Sequence, residues 1–158
     1  MLNEDYKDML SSLDAEKVEY LLVGAYALAL HGHVRATMDI DIWVKPSGDN
    51  ALAVLRALRR FGAPAHGLTL ADLQKGDTVF QIGVAPRRID IITGATGLRF
   101  DETFARSVEA EVEGLRVHIP AVEDLIRNKR ASGRPKDLVD VESLESLVGR
   151  QGADGELR

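Results

Sequence analysis

Two aspartates, Asp39 and Asp41, stand two apart in the apolar run Met38-Asp39-Ile40-Asp41-Ile42-Trp43-Val44. If that run is a strand, side chains alternate, so both carboxylates project to one side while Ile40, Ile42 and Val44 project to the other. Two carboxylates converging on one spot repel each other unless a cation or a proton intervenes, and Mg²⁺ is the usual cation for an all-oxygen site. Asp90 is a third acid, alone inside the short apolar run Arg88-Ile89-Asp90-Ile91-Ile92. A carboxylate there is costly unless it lies at an exposed edge or joins a paired or metal site. With two other strand-borne acids at hand, three carboxylates around one or two divalent ions is the better reading. Such a site orients an attacking hydroxyl and neutralises charge on a phosphoryl group in transfer.

The counterpart to this acidic set lies near the C-terminus. Val122, Leu125, Ile126 and Lys129 share one helical face at i, i+3, i+4 and i+7, which puts Lys129 on the apolar stripe. Asp137 likewise shares its stripe with Val141, Leu144 and Val148. Inward charges either pair with each other or reach into a pocket. A Lys129–Asp137 ion pair bracing two helices and a lysine facing phosphates are both open, and they are compatible. The segment Leu125 to Lys136 carries Arg127, Lys129, Arg130, Arg134 and Lys136 and no acid, as a solvated helix face would or as a partner for the aspartates would.

The elements that must position these groups are legible in outline. Residues 4–13 predict a short amphipathic helix with Tyr6, Met9, Leu10 and Leu13 on one side. Val18 to Val23 predicts a buried strand that runs into Gly24-Ala25 and a short helix to Leu30. Glycine permits a tight turn there and close approach to the backbone, and a helix start presents free N–H groups that favour a phosphate. After the Asp-Ile-Asp strand comes a turn at Pro46-Ser47-Gly48, with Asp49 or Asn50 as the expected N-cap. A helix follows whose expected buried face is Leu52, Leu55, Leu58 and Phe61. Gly62 to Gly67 reads as a loop. Thr78 to Val84 and Arg88 to Ile92 read as strands joined at Ala85-Pro86-Arg87, and Thr93 to Gly97 as another loop. Val108 to Ile119 predicts a hairpin turning near Glu113-Gly114. From Pro120 on, two helices are expected, broken at Gly133-Arg134-Pro135. The order implies an α/β (α+β-like) fold, a mixed sheet flanked by helices with a C-terminal helical pair. Residues 1–150 form one domain on this reading, and 151–158 a frayed tail.

Composition narrows the function classes. The chain has 158 residues, enough to bury a core without staples, and it is 45% hydrophobic and 28% charged. The absence of Cys excludes disulfides, thiol catalysis and cysteine-ligated zinc. Its net charge of −5 argues against a general nucleic-acid coat but leaves room for a local basic site. The start MLNEDYKDML does not read as a signal peptide, and no apolar run approaches the roughly 18–20 residues that span a bilayer. A cytoplasmic protein without a membrane partner is the expectation.

Hydrophobic-Gly-(Gly or Ser), a spacer, Asp-hydrophobic-Asp and a third acid on a later strand together resemble the nucleotidyltransferase superfamily that includes DNA polymerase beta. Within it, Val23 to Val44 is most similar to the toxin-type, AbiEii-like nucleotidyltransferases and their small relatives. Arg35-Ala36-Thr37-Met38-Asp39-Ile40-Asp41 matches their early segment. Leu125-Ile126-Arg127-Asn128-Lys129, Gly133-Arg134-Pro135-Lys136-Asp137 and Asp140 match a late one. The resemblance implies a nucleotidyltransferase fold moving a nucleoside monophosphate (NMP) from a nucleoside triphosphate (NTP) to an acceptor hydroxyl. That acceptor would be a tRNA end, another RNA, a protein side chain or a small molecule. It implies Mg²⁺ (or Mn²⁺) held by Asp39, Asp41 and Asp90, with Lys129 and Asp137 as further catalytic residues. Gly24, Ala25, Arg35, Thr37, Lys129 and Arg134 would hold the nucleotide, and a cognate toxin or antitoxin partner would fit the same kinship.

Two departures stand out. Position 25 is Ala where the resemblance calls for Gly or Ser, and the 158 residues are short beside larger relatives, which carry an extra helical domain. The alternative is a catalytically degenerate domain of the same fold that binds a nucleotide or a partner. Other residues are expected to be structural. His31 and His33 straddle Gly32 with no third metal ligand nearby, and Trp43, on the side of Asp39 and Asp41, is expected to pack in the core.

Overall fold

The computed structural model describes residues 2–33, 39–64, 67–84 and 86–156, and the side chains of these up to residue 149. Arg35 and Thr37 lie outside the described residues, as does Ala85 of the expected 85–87 turn.

Four strands, β1 (Tyr20–Val23), β2 (Ile40–Val44), β3 (Val79–Ile82) and β4 (Ile89–Ile92), form one sheet in the order β1-β2-β4-β3. β1/β2 and β3/β4 are antiparallel, and the central β2/β4 pair is parallel, so the sheet is mixed as expected. Its register assigns the two faces. Tyr20, Leu22, Ile40, Ile42, Val44, Ile89 and Ile91 share one face; Leu21, Val23, Asp41, Trp43, Asp90 and Ile92 share the other.

The first face carries the main core. It packs with α1 (Glu4–Ala15), which buries Tyr6, Met9, Leu10 and Leu13 as the periodicity predicts, and with α3 (Gly48–Phe61). α3 differs from expectation in its rotation. The leucine stripe suggested burial of Leu52, yet Leu52 is 45% exposed, and the buried side is Asn50, Ala51, Ala53, Val54, Ala57 and Leu58. Small alanines let the helix backbone come close to its neighbours, and Asn50 fixes the phase. Its amide accepts from the Glu19 N–H (2.7 Å) and donates to the carbonyls of Glu19 (3.0 Å) and Lys45 (2.9 Å). With Asn50 so engaged, Ser47 is the N-cap, accepting from the Asn50 N–H at 3.3 Å.

The second face is covered only in part. Leu21, Val23, Trp43 and Phe100 form a smaller core under α5 (Phe100–Ala105), with Trp43 edge-on to Phe100 at 5.3 Å. Trp43 is therefore a core residue, as expected. The acids lie beyond that cover, at the N-terminal ends of β2 and β4.

β5 (Val108–Val112) and β6 (Leu115–Ile119) form the predicted hairpin, and Glu113 and Gly114 both take positive φ (49° and 85°) in its turn. α2 (Gly24–Leu30) follows β1 directly. α6 (Val122–Ser132) stops at Gly133 (φ 67°), and α7 begins at Pro135, as the glycine and proline predict. α7 (Pro135–Glu156) continues as helix past residue 150, where a frayed tail is expected from composition. The short α4 (Leu70–Gln74), with a Thr69/Asp72 capping box, and α5 are additions to the sequence reading. No helix among the described residues is long and apolar enough to cross a membrane.

Candidate functional site

Asp41 and Asp90 are direct neighbours across the parallel β2/β4 pair, on the sheet face that α5 leaves open. Asp90 is 6% exposed. Burial, then the charge of Asp90 beside it and that of Asp39, push the Asp41 carboxyl up to about 6. Like charges brought out of water in this way hold a proton or call for a cation.

Gly24 lies against Asp41. Its φ is +66°, and a Cβ placed on it would lie 2.2 Å from Asp41 Oδ2. The glycine is therefore needed twice, for the left-handed backbone at the β1–α2 junction and for the carboxylate seated against it. α2 has only seven residues, so most of the positive charge facing this end of the sheet must come from elsewhere.

It comes from the C-terminal helix pair. A cavity of about 410 Å³ is lined by Gly24, Ala25 and Asp41 together with Lys129, Arg134 and Lys136. Lys129 Nζ is 3.4 Å from Asp137 Oδ1 and 3.2 Å from Asp140 Oδ2, both acids buried, and is itself largely buried. Arg134 Nε donates to Asp137 Oδ2 at 2.7 Å. Hydrogen bonds from Arg134 and the Lys129 charge outweigh desolvation and hold the Asp137 carboxyl below its usual range. The Lys129–Asp137 ion pair, one of the two readings the sequence left open, is present, and Lys129 also lines the cavity. Asp137 itself supports the basic side chains and does not line the cavity.

Asp39 takes a different course from the one expected. Its Oδ1 accepts the backbone N–H of Arg88 at 3.0 Å, and its Oδ2 is 3.5 Å from Arg88 Nη2. The same guanidinium grips Asp90 in a two-pronged pair, Nε to Oδ1 at 2.7 Å and Nη2 to Oδ2 at 3.1 Å. Arg88 is thus the cation among the three acids. Among the described residues no group of three His, Cys, Asp or Glu side chains is arranged to hold a metal ion. The Asp41/Asp90 pair fits a hard divalent ion in donor type, while Arg88 already offsets the charge of Asp90. The full three-carboxylate set is not gathered, because Asp39 and Asp90 are turned to the arginine.

Arg88 was the residue sequence reasoning passed over. It lies two positions before Asp90, so it shares the face of that acid in any strand, and an arginine in phase with an inward carboxylate was the available signal. Both histidines meet protein groups. His31 Nε2 meets the Pro120 carbonyl at 2.8 Å, tying α2 to the end of β6, and His33 Nε2 lies 3.6 Å from Asp140 Oδ1.

Comparison with known proteins agrees with the fold and with the nucleotidyltransferase superfamily, and does not single out the AbiEii-like branch. Residues 1–150 match the family described as "Nucleotidyltransferase of unknown function (DUF6036)", and the chain belongs to that family. A candidate nucleotidyltransferase from Thermotoga maritima shares the fold (TM-score 0.59, 14% identity, 95% of this chain and 96% of that one). So does the lincosamide antibiotic adenylyltransferase LnuA with lincomycin bound (TM-score 0.57, 16% identity, 92% and 98% covered). A third is the antibiotic-resistance factor ANT(2'')-Ia (TM-score 0.57, 16% identity, 95% and 84% covered). No curated protein matches the chain in sequence at a significant level.

Proposed function

We propose that this member of the nucleotidyltransferase family moves an NMP from an NTP to an acceptor hydroxyl. The observation that carries the reading is the cavity lined by Asp41 together with the trio Lys129, Arg134 and Lys136. A triphosphate is the kind of group that needs both: cationic side chains for its oxygens, and carboxylates that would hold a divalent counter-ion.

In this reading Lys129, Arg134 and Lys136 take the phosphate charge, with Lys129 held in place by Asp137 and Asp140. Gly24 and Ala25 bring backbone close to the phosphates. Asp39, Asp41 and Asp90 are the residues that would hold Mg²⁺ or Mn²⁺. That ion, when bound, supplies Lewis-acid neutralisation of the reacting phosphoryl group. Asp90 accepts a hydrogen bond from the acceptor hydroxyl and orients it in line with the α-phosphorus. The acceptor oxygen forms a bond to that phosphorus, the bond to the bridging oxygen breaks, pyrophosphate leaves, and the hydroxyl proton passes to the carboxylate side of the site.

The acceptor class follows from kinship and charge. The basic run over residues 125–136 favours a phosphate-bearing acceptor such as an RNA end. The fold shared with LnuA and ANT(2'')-Ia also supports a small molecule, and a protein side chain is the third class. A toxin–antitoxin or phage-defence setting in the cytoplasm fits the AbiEii-like segments, with a cognate partner implied.

Arg88 across Asp39 and Asp90, together with Ala25 in the phosphate loop, favours a second reading: a degenerate domain that binds a nucleotide or a partner without transfer. Incubation with each labelled NTP, Mg²⁺ and pools of RNA or lysate protein separates the two. Transfer by the wild type that is lost in the Asp39→Ala/Asp41→Ala double variant is the expected result. Label transfer that survives the double variant would defeat the assignment of the acids, and nucleotide binding without transfer to any acceptor would establish the degenerate reading.

A further inference from the structure

We propose that Arg88 is a resident counter-cation that competes with the divalent ion, so that metal can enter the carboxylate set only as the guanidinium leaves Asp39 and Asp90. The proposal rests on the reading of Asp39, Asp41 and Asp90 as the metal-holding acids. Arg88 meets both oxygens of Asp90, at 2.7 and 3.1 Å, and one oxygen of Asp39 at 3.5 Å. These are oxygens that a divalent ion would need, and the two cations repel each other at such range.

The anchoring of Arg88 suits an exchange. Its backbone is held on both sides: the N–H donates to Asp39 Oδ1 (3.0 Å), while the carbonyl accepts from the Ile40 N–H (3.0 Å) and the Tyr6 hydroxyl (3.4 Å). Its side chain is 30% exposed, with a route to solvent. The backbone is therefore a fixed pivot and the guanidinium the part free to swing. While it is in place, Arg88 keeps Asp39 and Asp90 within reach of each other without metal, at the cost of occupying them. Arg88 is thus a positioning residue that sets the metal affinity of the site. A purely structural brace would make the opposite prediction, since losing it would splay the acids and weaken metal binding.

The discriminating measurement is Mn²⁺ affinity by calorimetry or electron paramagnetic resonance, on full-length wild type, Arg88→Gln and Arg88→Lys. Arg88→Gln is expected to bind Mn²⁺ about ten-fold more tightly than wild type while melting at a lower temperature without metal. Arg88→Lys should fall between them, since it keeps the charge and loses the fork. Equal or weaker Mn²⁺ binding by Arg88→Gln overturns the proposal while leaving the metal-site reading intact. Absence of Mn²⁺ binding by wild type and both variants overturns that reading and the proposal together. Should the variants fail to fold, the wild type alone decides. The Arg88 Nε–H NMR signal should shift and exchange faster with solvent on adding Mg²⁺, and a signal unchanged at saturating Mg²⁺ overturns the exchange.

Discussion

The Oδ2 atom of Asp41 sits where the side chain of residue 24 would have to be: a Cβ on Gly24 would come within 2.2 Å of it. The β1–α2 junction and the acidic strand are therefore fitted to each other. Gly24→Ala is expected to cost about 2 kcal/mol from the left-handed backbone alone, and more from displacing the carboxylate. The thermal melt should show this loss together with weaker nucleotide binding. In an Asp41→Gly background the same substitution should cost only the backbone part. Equal costs in the two backgrounds would mean that the carboxylate is not the obstacle.

Asp41 also makes stability depend on pH in an uncommon direction. Its folded carboxyl is raised from 3.8 to about 6, so the folded state holds the proton more tightly than the unfolded chain does. The stabilisation is complete below about pH 4 and is lost as pH rises through 6. Asp137 shifts the opposite way but is present in both proteins of the comparison. Metal-free Asp41→Asn should therefore match wild type near pH 4 and melt higher at pH 7, by on the order of 2 kcal/mol. Mg²⁺ should narrow the gap by compensating the wild-type charge. Melting curves of the two proteins that stay parallel from pH 4 to 7 would remove Asp41 as the strained acid.

Much of this was legible in the chain because strands and helices write their periods directly. The alternation around Asp41 and Asp90 named the acidic side of each strand, and the i, i+3, i+4 spacing placed Lys129 inward. That Asp41 and Asp90 would be partners was not legible, since it depends on β4 pairing with β2 as well as with its sequence neighbour β3. The phase of α3 was misread because leucine size was taken for burial, whereas alanines and a hydrogen-bonded Asn50 set the packed side. α4 and α5, with five and six residues, are too short to show a helical period. Alternation gives the acids a face, but it does not show the arginine that bridges Asp39 and Asp90.

Ala25 stands where the resemblance to nucleotidyltransferases calls for Gly or Ser, and it lines the cavity. A serine hydroxyl there would add a donor to an anionic oxygen, worth about 1.5 kcal/mol when made. Ala25→Ser is therefore expected to tighten NTP binding roughly ten-fold at most, with little change in melting temperature. Titration of a fluorescent NTP measures it. An unchanged or weaker affinity would show that the triphosphate does not approach residue 25.

Lys129 carries two duties that a pair of variants can separate. It neutralises Asp137 and Asp140, buried at 0% and 2% exposure, and it faces the cavity. Lys129→Met leaves those acids short of a cation, at an expected cost of about 3 kcal/mol, which for a chain of this size lowers the melting temperature by roughly 10 °C. It should also weaken NTP binding, because a charge facing the phosphates is gone. Asp140→Asn removes one of the two carboxylates holding the ammonium but keeps the ammonium itself. It should cost less stability and leave NTP affinity within about two-fold of wild type. If Lys129→Met loses stability and yet binds NTP as wild type does, the lysine is a brace alone. The phosphate charge must then fall on Arg134 and Lys136, which line the same cavity.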